Sequence, residues 1–138
     1  MVDPDVVRRR LREIDRRLEA LDAIRAEGGE AFQQSRGLQA QVERHMQLAI
    51  QAAIDIAVHI VSEDSALTPE DYGSTFLILA RIGVVDESLA KRLRSAAGLR
   101  NILVHAYLDV DPQMMWANME HLEDLRRFAA AIQKYLTA

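Results

Sequence analysis

The run LQAQVERHMQLAIQAAIDIAVHIVSE, residues 38–63, decides the fold. Val42, Met46, Ala49, Ile50, Ala53, Ile54, Ala57 and Ile60 recur in it at helical spacings. Such a pattern lines up one apolar face of a helix with 3.6 residues per turn. Its many alanines let a neighbouring helix approach closely. Upstream, Val7, Leu11, Ile14, Leu18, Leu21 and Ile24 make a second apolar stripe, which predicts a helix from about Pro4 to Ala26. Downstream, Phe76, Leu77, Leu79 and Ala80 predict a short helix over about Pro69 to Ile82. Leu89, Leu93, Ala96 and Ala97 predict one from Asp86 to at least Leu103. Met115, Leu122, Leu125, Ala129, Ile132 and Leu136 predict a last helix from Asp111 to about Leu136.

The punctuation agrees. Gly28-Gly29 separates the first two stripes, and Gly37, Gly73 and Gly83 lie near other junctions. Each proline follows a capping residue, in Asp3-Pro4, Thr68-Pro69 and Asp111-Pro112. Proline at the first helical position after such a residue is a helix-start signature. Thr68-Pro69-Glu70-Asp71 comes close to a capping box. No segment alternates as a strand, and no repeat, low-complexity tract or linker interrupts the pattern. The expectation is an all-α antiparallel helical bundle, four long helices plus a short one, filling a single domain over residues 1–138.

Composition narrows the function classes. A chain of 138 residues has room for one domain and no second. It contains no cysteine, which excludes disulfides, thiolate catalysis and cysteine-ligated metal sites. The net charge of −4 argues against a broad electrostatic grip on nucleic acid, though not against a local basic cleft. The cations are almost all arginine, the better fork for phosphate. No run approaches the roughly 20 apolar residues of a membrane span. The start, Met1-Val2-Asp3-Pro4-Asp5, lacks the basic-then-apolar layout of a signal peptide. The expectation is a cytoplasmic protein with no membrane partner.

The segment that carries chemistry is Arg100-Asn101-Ile102-Leu103-Val104-His105-Ala106-Tyr107, followed by Val110-Asp111. It joins a permanent cation, an amide, an imidazole and a phenol. Cleaving RNA without a metal needs a group that takes the 2′-hydroxyl proton and one that protonates the leaving oxygen. It also needs a group that stabilises the crowded phosphorus centre. Histidine suits the first two roles and arginine the third. On a continuous helix Asn101 and His105 are neighbours and can hydrogen-bond. Arg100 and His105 are not, because five residues turn roughly 140° beyond a full turn. One helix alone is therefore a poor site. The arginine must curl over, the helix must end near His105, or a second copy must complete the cleft, the last being favoured. An isolated R-x4-H is a weak pattern that a surface ion pair and a C-terminal histidine also explain.

This string, near the end of the penultimate long helix, resembles the R-x4-6-H motif of the HEPN superfamily, and most closely the HepT toxin family. That family carries it as R-N-x-x-x-H-x-Y, often followed by V-D. Arg100, Asn101, His105, Tyr107, Val110 and Asp111 match without a departure. The stretch from Val42 to Ile50, with Asp55, His59 and Ile60 beyond it, is similar to the family's second-helix pattern. The resemblance covers nearly the whole chain. It implies a HEPN-like bundle and a metal-independent endoribonuclease toxin with no cofactor. It also implies a homodimer in which two motifs face one another as a composite cleft. The implied partner is an MntA-like nucleotidyltransferase antitoxin that transfers AMP to Tyr107. By the same resemblance His105 is the acid/base, Arg100 the phosphate stabiliser and Asn101 the orienter. The alternative is a non-catalytic HEPN subunit that binds a nucleotide or partner beside a nucleotidyltransferase. A third reading, a plain helical scaffold, leaves the Arg100–Tyr107 string unexplained.

Other polar groups have competing readings. Arg44, Gln47, Gln51, Asp55, His59 and Ser62 form a stripe on the second helix. It either lines the same cleft, with Arg44 and Asp55 supporting the catalytic groups, or is a solvated face with an Asp55–His59 pair. No third ligand accompanies Asp55 and His59, so no metal site is expected. The basic run Arg8, Arg9, Arg10, Arg12, Arg16 and Arg17 reads as a solvated face, with Asp5–Arg9 and Glu13–Arg17 pairs. His121 reads as surface. Met114, Met115, Trp116 and Met119 read as core or dimer interface.

Overall fold

A computed structural model describes residues 1–105 and 110–138. Among the described residues every regular element is a helix and none is a strand. In chain order they are α1 (Pro4–Glu27), α2 (Gly29–Gln34), α3 (Arg36–Asp64), α4 (Tyr72–Arg81), α5 (Glu87–His105), α6 (Pro112–Asn118) and α7 (Leu122–Thr137). A 3-10 turn, Met119–His121, joins the last two.

The central helix is α3, which packs against each of the other six. All eight residues of its expected apolar face are buried, and so are Ala52, Ile56 and Val61 beside them. A helix surrounded by neighbours buries a wider arc than one lying on a surface. By length and composition α3 alone would pass for a membrane span, but more than half of its most apolar stretch lies inside the bundle. Helix α1 runs antiparallel to α3. The Asp3 amide donates to His59 Nε2 at 3.0 Å near one end, and Arg17 Nη1 lies 3.1 Å from His45 Nδ1 further along. The six residues of the α1 stripe are all buried. Each large side chain buried in this way contributes about 2 kcal/mol relative to exposure. An Arg126–Asp22 ion pair joins the start of α7 to the end of α1, so these two helices are also antiparallel.

Three departures from the sequence expectation have physical causes. The third helix starts at Tyr72 and not at Pro69, because Asp71 is its cap. Asp71 Oδ1 accepts from the Ser74 amide and hydroxyl, both at 2.7 Å, and these bonds hold the carboxyl below its usual range. The expected last helix is broken into α6, the 3-10 turn and α7. At the break Asn118 Nδ2 donates to the Met114 carbonyl at 2.9 Å and so competes with the backbone ladder. The stretch after Gly28, expected only as a junction, holds α2. Gly28 turns the chain at φ 97°, a value that favours glycine. Phe32 of α2 is fully buried, its ring centroid 5.2 Å from that of Trp116. Met115 and Met119 are buried and Met114 and Trp116 pack against the core, the first of the two readings, core or dimer interface, given to them above.

Candidate functional site

The arrangement around Arg100 follows from the helix geometry of α5. Arg100 faces inward across the bundle, towards α3 and α4. Its Nε donates to Gln51 Oε1 at 2.7 Å and its Nη1 to Asn101 Oδ1 at 3.0 Å. Its guanidinium carbon lies 5.6 Å from the ring centroid of Tyr72, at the start of α4. Gln51 Nε2 in turn donates to Asp55 Oδ1 at 2.8 Å, and Asp55 Oδ2 lies 3.7 Å from Arg10 Nη1 on α1. A polar chain thus runs Arg10–Asp55–Gln51–Arg100–Asn101 across three helices. It fixes two of the three guanidinium nitrogens of Arg100. The third, Nη2, makes no hydrogen bond among the described residues and is the edge left for an anion.

Of the residues singled out in the sequence, Arg100, Asn101 and Asp55 come together here. His105 does not join them. It is the last residue of α5, exposed, with no hydrogen bond or ion pair among the described residues. The Asn101–His105 bond open to neighbours four apart is not made, since Asn101 turns its oxygen to Arg100. Arg100 thus curls towards the bundle while His105 faces outward, as five residues of helical rotation require. Arg44 is exposed on α3 and bonds to no member of the chain. The expected modification site, Tyr107, lies outside the described residues. Val110 packs on the core, and Asp111 caps α6 by accepting from the Gln113 amide at 2.9 Å.

Other expected pairings resolve individually. The Asp55–His59 pair is not formed, because His59 accepts the Asp3 amide and Asp55 takes Gln51 and Arg10. Asp5–Arg9 is not formed either. Glu13–Arg17 is, at 2.9 Å, and the hydrogen bond from Arg17 holds the Glu13 carboxyl below its usual range. His121 is exposed. Among the described residues no three His, Cys, Asp or Glu side chains gather as a metal set.

Sequence reasoning missed three residues around Arg100. Arg10 read as part of a solvated face, because only the packing of α1 on α3 brings it to Asp55. Tyr72 carried no motif. Arg94 had a findable signal, since Arg94, Ala97, Gly98 and Asn101 fall on one α5 ridge at spacings of three and four. These four residues, with Asp71, Tyr72 and Gly73, line a recess of about 210 Å³ beside Arg100.

A helical bundle with an R-N-x-x-x-H string on its penultimate long helix, its arginine tethered to the central helix, defines a HEPN-type protein. The chain belongs to the ribonuclease HepT-like family, whose model matches residues 10–132. It is 32% identical over 136 residues to a tRNA nuclease HepT of Aphanizomenon flos-aquae, covering 98% of this chain and 92% of that one. It is 28% identical over 130 residues to an mRNA nuclease HepT of Shewanella oneidensis, covering 94% and 97%. A solved tri-AMPylated HEPN toxin of Shewanella oneidensis, in complex with its MNT antitoxin, superposes with a TM-score of 0.87. Its identity to this chain is 28%, covering 96% of this chain and 99% of that one.

Proposed function

We propose that this protein is the toxin of a toxin–antitoxin pair, a single HepT-like domain that cleaves RNA without a metal inside the bacterial cytoplasm. The observation that carries the reading is the tether on Arg100. Gln51 and Asn101 hold a permanent cation with one free edge, on the helix that ends in His105. Arg100 binds a non-bridging phosphate oxygen through that edge and stabilises the charge that builds at phosphorus. His105 takes the proton from the ribose 2′-hydroxyl, whose oxygen attacks phosphorus. The bond from phosphorus to the 5′-oxygen breaks, and that oxygen receives a proton. Asn101 orients Arg100, and Asp55 acts through Gln51. Arg44, two turns before Gln51 on α3, supplies a further cation for RNA further from the cut.

One protomer turns Arg100 and His105 apart, so the cleft is completed by a second copy. In a homodimer the two His105 side chains meet, one serving as base and the other as acid. Ile102, more than half exposed beside the motif, offers apolar surface for that contact. The cognate antitoxin is an MntA-like nucleotidyltransferase that transfers AMP to Tyr107. Adding a bulky anionic group two residues from His105 blocks the cleft and repels RNA phosphate.

The test is cleavage of bulk tRNA and mRNA in EDTA by purified protein whose intact mass shows no AMP. His105→Ala is assayed beside it, with its fold checked by circular dichroism. Cleavage by the parent and none by the variant is the expected result. No cleavage by unmodified, dimeric parent would replace this reading with that of a non-catalytic partner-binding subunit.

A further inference from the structure

The recess beside Arg100 has the chemistry of a nucleotide subsite. One wall is the ring of Tyr72, half exposed to solvent and already engaged on one side by the Arg100 guanidinium. Opposite runs the α5 ridge of Arg94, Ala97, Gly98 and Asn101. Arg94 makes no hydrogen bond or ion pair among the described residues, although its stem packs so tightly on α4 that a Cβ on Gly73 would meet it at 2.9 Å. Gly98 is the floor. Glycine within a helix costs about 1 kcal/mol relative to alanine, yet a Cβ there would meet nothing within 4 Å. Packing therefore does not require this glycine, and what it leaves is room. Among the lining residues the acid is Asp71, whose Oδ1 is committed to Ser74 and whose charge faces Arg94 without forming an ion pair.

We infer that Tyr72, Arg94, Gly98 and Asn101 form a subsite for the RNA nucleotide adjoining the scissile phosphate, its base on the Tyr72 ring and its phosphate on Arg94. An aromatic face and a guanidinium without a hydrogen bond over a small-residue floor match a base and a phosphate together. A protein partner would bring side chains to fill the recess but no reason for an arginine without a hydrogen bond beside an aromatic ring. The subsite rests on the RNA-cleavage reading for its ligand, and it can be tested without cleavage.

Binding of a fluorescein-labelled single-stranded oligoribonucleotide is measured by anisotropy on His105→Ala protein, alone and combined with Tyr72→Phe, Tyr72→Ala, Arg94→Ala or Gly98→Leu. Leucine favours a helix more than glycine does, so Gly98→Leu fills the recess without threatening the fold. Tyr72→Phe keeps the stacking face and leaves Kd within about twofold. Tyr72→Ala, Arg94→Ala and Gly98→Leu each weaken binding roughly 5- to 100-fold, the range of one base stack or phosphate contact. With His105 restored, the same substitutions raise KM more than they lower kcat. Unchanged Kd in Tyr72→Ala and Gly98→Leu would overturn the subsite. So would a Gly98→Leu protein whose only change is its sedimentation as a monomer, since the recess would then be a contact between copies. Absence of cleavage by the parent, with binding still sensitive to Tyr72 and Gly98, would remove the ribonuclease reading and leave the subsite standing.

Discussion

Gln51 sits between opposite charges and satisfies both. Its oxygen accepts from Arg100 and its amide donates to Asp55, an arrangement only a side chain with both a donor and an acceptor can complete. Without it Arg100 would keep its charge but lose its direction, and in the proposed role of Arg100 small misplacements are costly. Gln51→Leu is therefore expected to lower kcat for RNA cleavage about tenfold or more and to change KM less. Steady-state kinetics on a labelled oligoribonucleotide checks this, and a kcat equal to the parent's would show that Arg100 needs no tether. The sequence displayed Gln51 as one member of a polar stripe and could not single it out. The partner that gives it meaning lies 49 positions away on another helix.

At the scale of elements, the joint between α1 and α3 is sensitive to acid. His45 is titrated at lower pH than its ordinary 6.5, first because burial disfavours its charged form and then because Arg17 is close. The unfolded chain takes up this proton before the folded protein does. The contribution is therefore full above about pH 6.5 and is lost as pH falls from there towards the lowered value. Glu13, held down by Arg17, contributes above its ordinary 4.5 and loses that contribution as pH falls further. Urea midpoints are expected to decline in two stages below pH 6.5, and His45→Gln should remove the upper stage. A parent and variant with parallel profiles would exclude His45 as the source. Existence and order of the long helices were legible because apolar stripes repeat at helical spacing. Their ends were less so. Asp71 outcompeted Thr68 as a cap through its bonds to Ser74, and Asn118 broke the last helix by bonding a carbonyl. Helix α2 is held by burial of Phe32 against Trp116, 84 positions further on, which no local pattern announces.

For the molecule as a whole, the decisive question is whether two copies share one cleft. If they do, parent and His105→Ala chains unfolded together and refolded as mixed dimers keep one of the two histidines and should cleave far below half the parent rate. Native mass spectrometry would confirm that the mixed species formed. Mixed dimers with half the parent activity would place a complete site in each protomer and remove the shared cleft. The amino-acid sequence by itself determined an all-helical chain, and it displayed the Arg100–Tyr107 string, because both are written in local spacing and residue type. The family followed from the same string. Only the tertiary structure decided that Arg100 turns inward to Gln51 and Tyr72 while His105 faces out, and that Arg10 and Arg94 stand near them. Those relations depend on how α1, α4 and α5 pack on α3, and packing is set by contacts between residues far apart in the chain.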